Sequence, residues 1–262
     1  MLLTRLLTAA VGIPLIAGAI WVGGGLLAGV TAVAVAIAVI EIAAARGVAK
    51  TPAAALSALC AGALPLLALA GEDYLLGGVI GAIVAQSALL TTTRDPAAGV
   101  PAWLWGVAAA LYFGALAAHF VLLRDVPEGR DWVFFTVLTV WTTDTGAYAV
   151  GRAIGRHKLA PAVSPGKTWE GAFGSAITGF AAVFVLSEAL DLRLALEHRI
   201  ALGLLLPPVI MAGDLAESAL KRGLGIKDSS GLVPGHGGIA DRLDSLLFAA
   251  PLVFYYLRYL VT

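Results

Sequence analysis

Between Ser218 and Asp244 the chain reads SALKRGLGIKDSSGLVPGHGGIADRLD, a stretch that gathers the residue types able to handle phosphate and divalent cations. Lys221, Arg222, Lys227, Asp228, His236, Asp241, Arg242 and Asp244 stand there among glycines. Just upstream, Asp214, Glu217, Ser218 and Lys221 fall at i, i+3, i+4 and i+7, so a helix would present them on one face. Asp241 and Asp244 are related in the same way at the start of the next apolar run. Carboxylates brought in from two helices can bridge divalent cations that also bind phosphate oxygens. Lys221, Arg222 and Lys227 suit a polyphosphate, the arginine with bidentate geometry. Gly235, Gly237 and Gly238 let backbone approach an anion closely.

Two further constellations lie upstream. Trp141-Thr142-Thr143-Asp144-Thr145-Gly146-Ala147-Tyr148 places an acid inside an apolar span, where its cost tends to mark a function. Trp141 and Tyr148 read as packing or interface aromatics rather than as a platform for a nucleobase. Gly151-Arg152, Gly155-Arg156-His157-Lys158 and then Ser164-Pro165-Gly166-Lys167-Thr168-Trp169-Glu170-Gly171 lead into another helix. A helix N-terminus with Ser, Thr and Lys is a fair anion site. It is not a P-loop, because Pro161 stands where GxxxxGK[ST] needs glycine.

The elements that must position these residues are membrane helices. The chain has 262 residues, 60% of them hydrophobic and only 13% charged, with a mean hydropathy of +0.91. A soluble domain carries roughly 25% charged residues. A bilayer core takes about 20 apolar residues per helix. The expected fold is an all-α, polytopic bundle of nine helices near 6–23, 26–45, 52–70, 74–92, 100–123, 131–151, 169–190, 199–218 and 242–261. It forms a single membrane domain over 1–262, with N-terminal helices in 1–99 and the catalytic helices and loops in 100–262. With the N-terminus cytoplasmic, Arg5, Arg46, Lys50, Arg94, Arg152, Arg156, Lys158, Lys167, Lys221, Arg222, Lys227 and Arg242 face the cytoplasm. Arg124, Arg130, Arg193, Arg199 and Arg258 face outward, so the positive-inside rule favours this orientation and an external C-terminus. Both long polar breaks, 152–168 and 219–241, then meet the nucleotide-bearing side.

Other classes find no support. Net charge is zero, which speaks against nucleic acid as a partner. The sole cysteine, Cys60, cannot form an internal disulfide and reads as a packing residue. No GxSxG, HExxH or paired CxxC occurs. Glu41 reads as a boundary residue or helix–helix contact, and His119 and His198 have no ligand-like partners in sequence.

Ser218…Leu220-Lys221-Arg222, Lys227-Asp228 and Pro234…His236-Gly237-Gly238…Asp241-Arg242…Asp244 resemble the signature of the phosphatidate cytidylyltransferase (CDP-diacylglycerol synthase) family. Trp141…Asp144-Thr145…Ala147-Tyr148 and Ser164-Pro165…Lys167-Thr168…Glu170-Gly171 are similar to the family's other motifs, in the same order. The resemblance runs from about residue 140 to the end, with Val233 a smaller residue than the family usually carries. It implies CTP and phosphatidate as substrates, a multi-pass homodimer in the bacterial inner membrane, and Mg²⁺ accompanied by K⁺. Asp214 and Asp241 match the acids associated with the family's metal centre, with Asp244 and Glu217 as further ligands. Asp144, Lys167, Lys221, Arg222, Lys227, Asp228, His236 and Arg242 are expected to complete the catalytic site.

The implied chemistry needs no protein nucleophile. A lipid phosphate is already anionic near neutral pH, so positioning and electrostatic stabilisation dominate, as in phosphoryl transfer generally. Two alternatives stay open from the residues. One is a membrane cytidylyltransferase or kinase for another lipid. The other is an ion-coupled transporter, against which count the lack of an internal hydropathy repeat and the placement of the charged block at one face.

Overall fold

The structure, a computed structural model, describes the backbone of residues 2–235 and 237–261, and side chains from Thr8 onward within that range. His236 therefore lies outside the described residues. The chain divides into two compact units, Met1–Asp125 with Asp228–Leu243, and Val126–Lys227 with Asp244–Thr262. A stretch of the signature segment thus belongs to the N-terminal unit, while both its flanks belong to the other.

In the first unit lie α1 (Leu2–Val22), α2 (Gly24–Ala45), α3 (Pro52–Leu67), α4 (Glu72–Thr91), α5 (Pro96–Ala109) and α6 (Leu116–Asp125). A wider-turned segment, Ala110–Ala115, joins α5 and α6 into one rod. Helix starts follow local chemistry. Thr51 accepts from the Ala54 amide ahead of Pro52, and Asp95 accepts from the Ala97 amide ahead of Pro96. Small residues let the rods approach: a Cβ on Gly62 would come within 3.1 Å of the Ala32 carbonyl, and one on Gly114 within 2.7 Å of that of Ala61. Arg124 donates to the Ile20 and Trp21 carbonyls at 3.0 and 3.3 Å, satisfying the end of α1.

The second unit holds α7 (Gly129–Ile154), β1 (Lys158–Ala160), β2 (Ser164–Thr168), α8 (Trp169–Ala189) and α9 (Leu196–Gly223). Most of the last helix, α10 (Ala240–Tyr256, continuing helical to Val261), also belongs here. Helices α7 and α8 meet through small residues. A Cβ on Gly171 would lie 2.9 Å from the Ala147 carbonyl, and one on Gly174 would lie 2.6 Å from the Val150 side chain. In lipid, where tails are as apolar as leucine, such close contact holds helices together.

Helices occupy each of the nine expected segments, and the fold is an all-α polytopic membrane protein. Among the described residues seven helices are long and apolar enough to cross a membrane. The exceptions are the apolar part of α1, Thr8–Val22, which is shorter, and α7, whose 26 residues include Arg130, Asp131, Asp144 and Arg152. Two details differ from expectation. Helix α9 runs on to Gly223, because Ala219, Leu220, Lys221 and Arg222 favour helix although they end the apolar run. The loop after α7 contains an antiparallel strand pair, Lys158 opposite Thr168 and Ala160 opposite Ser164, too short and too rich in Pro and Gly to show a two-residue alternation.

Candidate functional site

Asp144, Lys167 and Asp214 line a cavity of about 330 Å³ in the second unit. Each reaches it by a different route. Asp144 comes from the middle of α7, where Gly146 packs so tightly on Thr178 that a Cβ would strike its side chain. Lys167 is the penultimate residue of β2, and Thr168 then turns the chain into α8 by accepting from the Gly171 amide at 3.1 Å. Glu170 ties the base of this hairpin down. It accepts from the Arg156 and His157 amides at 3.1 and 3.2 Å and lies 2.6 Å from His157 Nδ1.

Asp214 sits on α9 beside Gly213, and that glycine decides what lies opposite. A Cβ on Gly213 would be 2.9 Å from the Asp244 carbonyl and 3.1 Å from Ser245 Cα, so α9 and α10 cross here nearly backbone to backbone. The charges of Asp244 and Asp214 both act on Asp144, and Lys167 opposes them. Lys167 Nζ lies 2.6 Å from Asp214 Oδ2. Asp144 and Asp214 therefore line the cavity together with Lys167, which pairs with Asp214. Tyr148 and Arg152 line the same cavity, with Arg152 donating to the Tyr148 hydroxyl at 2.7 Å.

The neighbouring turn of α9 has another arrangement. Glu217, 1% exposed, is 2.6 Å from Lys221 Nζ, so the expected helical face exists as a buried i,i+4 ion pair. Ser218 Oγ reaches Asp214 Oδ1 only at 3.4 Å. Arg222 donates to the Ile226 carbonyl at 2.7 Å, closing the end of α9. Lys227, Asp228 and Arg242 are exposed.

Asp241 belongs to the first unit, where its Oδ2 accepts from the Ser229 amide at 2.9 Å, the Gly238 amide at 2.7 Å and the Ser229 hydroxyl at 2.9 Å. Beside it stands Glu41, read from sequence as a boundary residue or helix–helix contact. It is 7% exposed and accepts from Ser229, Ser230, Ile239 and Ala240. The one available signal was an acid in the most hydropathic span, the same signal that singled out Asp144.

Among the described residues no three His, Cys, Asp or Glu side chains gather closely enough to hold a metal ion alone. The donor set still fits Mg²⁺. This ion prefers oxygen ligands, keeps several waters and takes one or two carboxylates plus substrate phosphates rather than a full protein cage. Asp144 and Asp214 supply carboxylate oxygens to the cavity wall, with Lys167 between them as a counter-charge that substrate phosphate could replace.

Against this geometry, comparison with known proteins is decisive for the family. The pattern defining the cytidylyltransferase family matches residues 3–260. The chain belongs to the cytidylyltransferase family. Within it, the chain is 37% identical over 150 residues to the phosphatidate cytidylyltransferase of Bacillus subtilis, a stretch covering 57% of this chain and 56% of that one. It is 41% identical over 178 residues to the protein of the same name from Brucella suis, covering 68% and 64%. With that of Staphylococcus saprophyticus the identity is 44% over 126 residues, covering 48% of each. The matches thus span about half to two thirds of the length of these cytidylyltransferases.

Proposed function

We propose that this chain is a phosphatidate cytidylyltransferase, joining CTP and phosphatidate to give CDP-diacylglycerol and pyrophosphate. The observation that carries the reading is the cavity in which Asp144 from α7, Lys167 from β2 and Asp214 from α9 converge. The similarity to phosphatidate cytidylyltransferases supports the same substrates. The enzyme is then a nucleotidyltransferase of phospholipid synthesis.

The reaction joins two anions. A phosphate oxygen of phosphatidate forms a bond to the α-phosphorus of CTP while the bond from that phosphorus to the bridging oxygen breaks, and pyrophosphate leaves. The barrier lies in bringing like charges together in line and in stabilising the charge that develops on the leaving group. Lys167 is the cation best placed to meet a phosphate, exchanging its contact with Asp214 for one with substrate. Tyr148 and Arg152 offer a polar rim on which the nucleotide is oriented. Mg²⁺ would be held by the cavity carboxylates of Asp144 and Asp214 together with substrate phosphate oxygens, where it would neutralise phosphate charge. The resemblance adds K⁺ as a companion and a homodimer as the assembled form. Lys221, Arg222, Lys227, Asp228, His236 and Arg242 remain candidates for further phosphate contacts, and Asp241 and Glu217 for outer support of the cation.

The positive-inside count supports the inner membrane with the N-terminus and the cavity on the cytoplasmic side. A phosphatidate headgroup sits at that interface, so its acyl chains need not leave the bilayer. The test is incubation of the purified protein with labelled CTP, MgCl₂ and a panel of lipid phosphates in mixed micelles. Labelled lipid that forms with phosphatidate, with stoichiometric pyrophosphate, is the expected result. A panel in which no lipid is labelled would overturn the enzyme reading, and labelling of a polyprenyl or ether lipid alone would transfer it to another substrate.

A further inference from the structure

Glu41 lies in α2, a span with a mean hydropathy of 2.5, the highest among the candidate spans. A carboxylate there is costly unless its oxygens are fully served. They are served by residues nearly two hundred positions away. Oε1 accepts from the Ser230 hydroxyl at 2.5 Å and the Ile239 amide at 3.1 Å. Oε2 accepts from the Ala240 amide at 2.9 Å and lies 3.0 Å from the Ser229 hydroxyl. All four groups are donors, so the site is built for an acceptor with two oxygens.

Two of those donors carry the argument. Ala240 is the first residue of α10 and Ile239 precedes it, so these amides are among the orphan donors of a helix N-terminus. A Ser, Thr, Asp or Asn side chain at the cap position would serve the amides two or three residues further on, so these two need an acceptor from elsewhere. Here the cap position holds Ile239, and the acceptor comes from α2. The positive end of the helix also favours a carboxylate at this place. Asp241, in the first turn of α10, closes the arrangement through Gly238 and Ser229, and the single Ser229 hydroxyl hydrogen faces both acids. The packing leaves room for nothing else. A Cβ on Gly238 would collide with Ser229 Oγ and lie 2.5 Å from Glu41 Oε2.

We infer that Glu41 is a positioning residue: it caps α10 from another helix and so fixes loop 229–240, and with it Asp241 and Arg242, for nucleotide transfer. The inference rests on the function proposed above for its catalytic consequence, though not for the latch itself. Glu41 touches no substrate in this scheme. It acts through the helix whose first two turns carry Asp241, Arg242 and Asp244. A displacement of about 1 Å in such groups costs on the order of 10²-fold in rate.

The experiment compares wild-type protein with Glu41→Gln and Glu41→Asp. Amide hydrogen exchange of residues 237–240 reports the latch without any substrate, and kcat and KM for CTP report the reaction. Glu41→Gln turns one acceptor oxygen into a donor facing donors. Exchange of the Ile239 and Ala240 amides should rise about tenfold or more, a modest loosening of local stability. kcat should fall on the order of 10²-fold with KM for CTP held within about twofold. Glu41→Asp keeps two acceptors and should recover part of the loss in kcat. Unchanged exchange overturns the latch; faster exchange with wild-type kcat overturns the positioning role. If the wild-type protein itself makes no CDP-diacylglycerol, the functional reading falls while the exchange arm still decides the latch. Should Glu41→Gln fail to fold, Ser230→Ala removes one donor at the part-buried edge, with smaller changes of the same sign expected. The absence of any change there overturns the inference as well.

Discussion

Two groups of acids in this protein have the same chemistry and opposite surroundings. In the second unit, Asp144 and Asp214 line a cavity with Lys167, which pairs with Asp214, and the charges of Asp214 and Asp244 both act on Asp144. In the first unit, Glu41 and Asp241 are met by backbone amides and serine hydroxyls at 2.5–3.1 Å. A carboxylate whose oxygens are filled by fixed amides is committed to holding backbone. A carboxylate held by one lysine on a hairpin can exchange that partner for a phosphate or a cation. The partners therefore separate the two roles where residue type does not.

The largest effect should come from breaking the first group. Asp214→Asn removes the charge beside Lys167 while keeping the side chain's shape and its place next to Gly213. CTP-dependent lipid labelling should fall by about 10³-fold, the upper range for one preorganised electrostatic group. The unfolding midpoint should move little, because Asp214 is part-exposed and its visible partners are one lysine and one long contact from Ser218. Substantial turnover in this variant would dissolve the distinction between the groups.

Asp241→Ala probes the other side of the comparison. It leaves the Ser229 and Gly238 amides without their shared acceptor. Each buried donor left unsatisfied costs about 1–3 kcal/mol. This variant should therefore lose thermal stability by several degrees, and protease should cut within 229–240 sooner than in wild type. Activity should fall too, so stability is the measurement that separates it from Asp214→Asn. An Asp241→Ala protein as stable as wild type would mean that these hydrogen bonds do not hold the loop.

The sequence made the rods legible because hydropathy reports burial in lipid directly, and all nine expected segments are helical. It also marked Asp144, Lys167 and Asp214, three residues that the fold brings to one cavity. Helix ends were less legible. Hydropathy falls at Ser218, yet the backbone stays helical to Gly223, since the loss of apolar character does not remove helix propensity. The hairpin that delivers Lys167 was hidden, because Ser164-Pro165-Gly166-Lys167-Thr168 has no strand-like alternation and is ordered by Glu170. Glu41 was the deepest omission. Its hydrogen-bond partners lie 188 to 199 positions away, and no local period or motif encodes a contact of that range. What sequence did expose was an uncompensated acid in a span, and such a residue invites a search for distant donors.

The smallest effect tests how finely the division between the groups can be drawn. Ser218 is part of the signature segment and buried, and on residue type alone it ranks with its charged neighbours. Its hydroxyl reaches Asp214 Oδ1 at 3.4 Å, at the far edge of a hydrogen bond. The short contact of Asp214 is the one from Lys167, through the other oxygen. Ser218→Ala should thus weaken the orientation of Asp214 without removing its charge. The expected loss in kcat is about three- to tenfold, the equivalent of roughly 0.6–1.4 kcal/mol, with stability unchanged within about 0.5 kcal/mol. A loss as large as that of Asp214→Asn would show that the hydroxyl meets substrate or cation itself. In that event the working group extends one helical turn further along α9 than the short contact with Lys167 indicates.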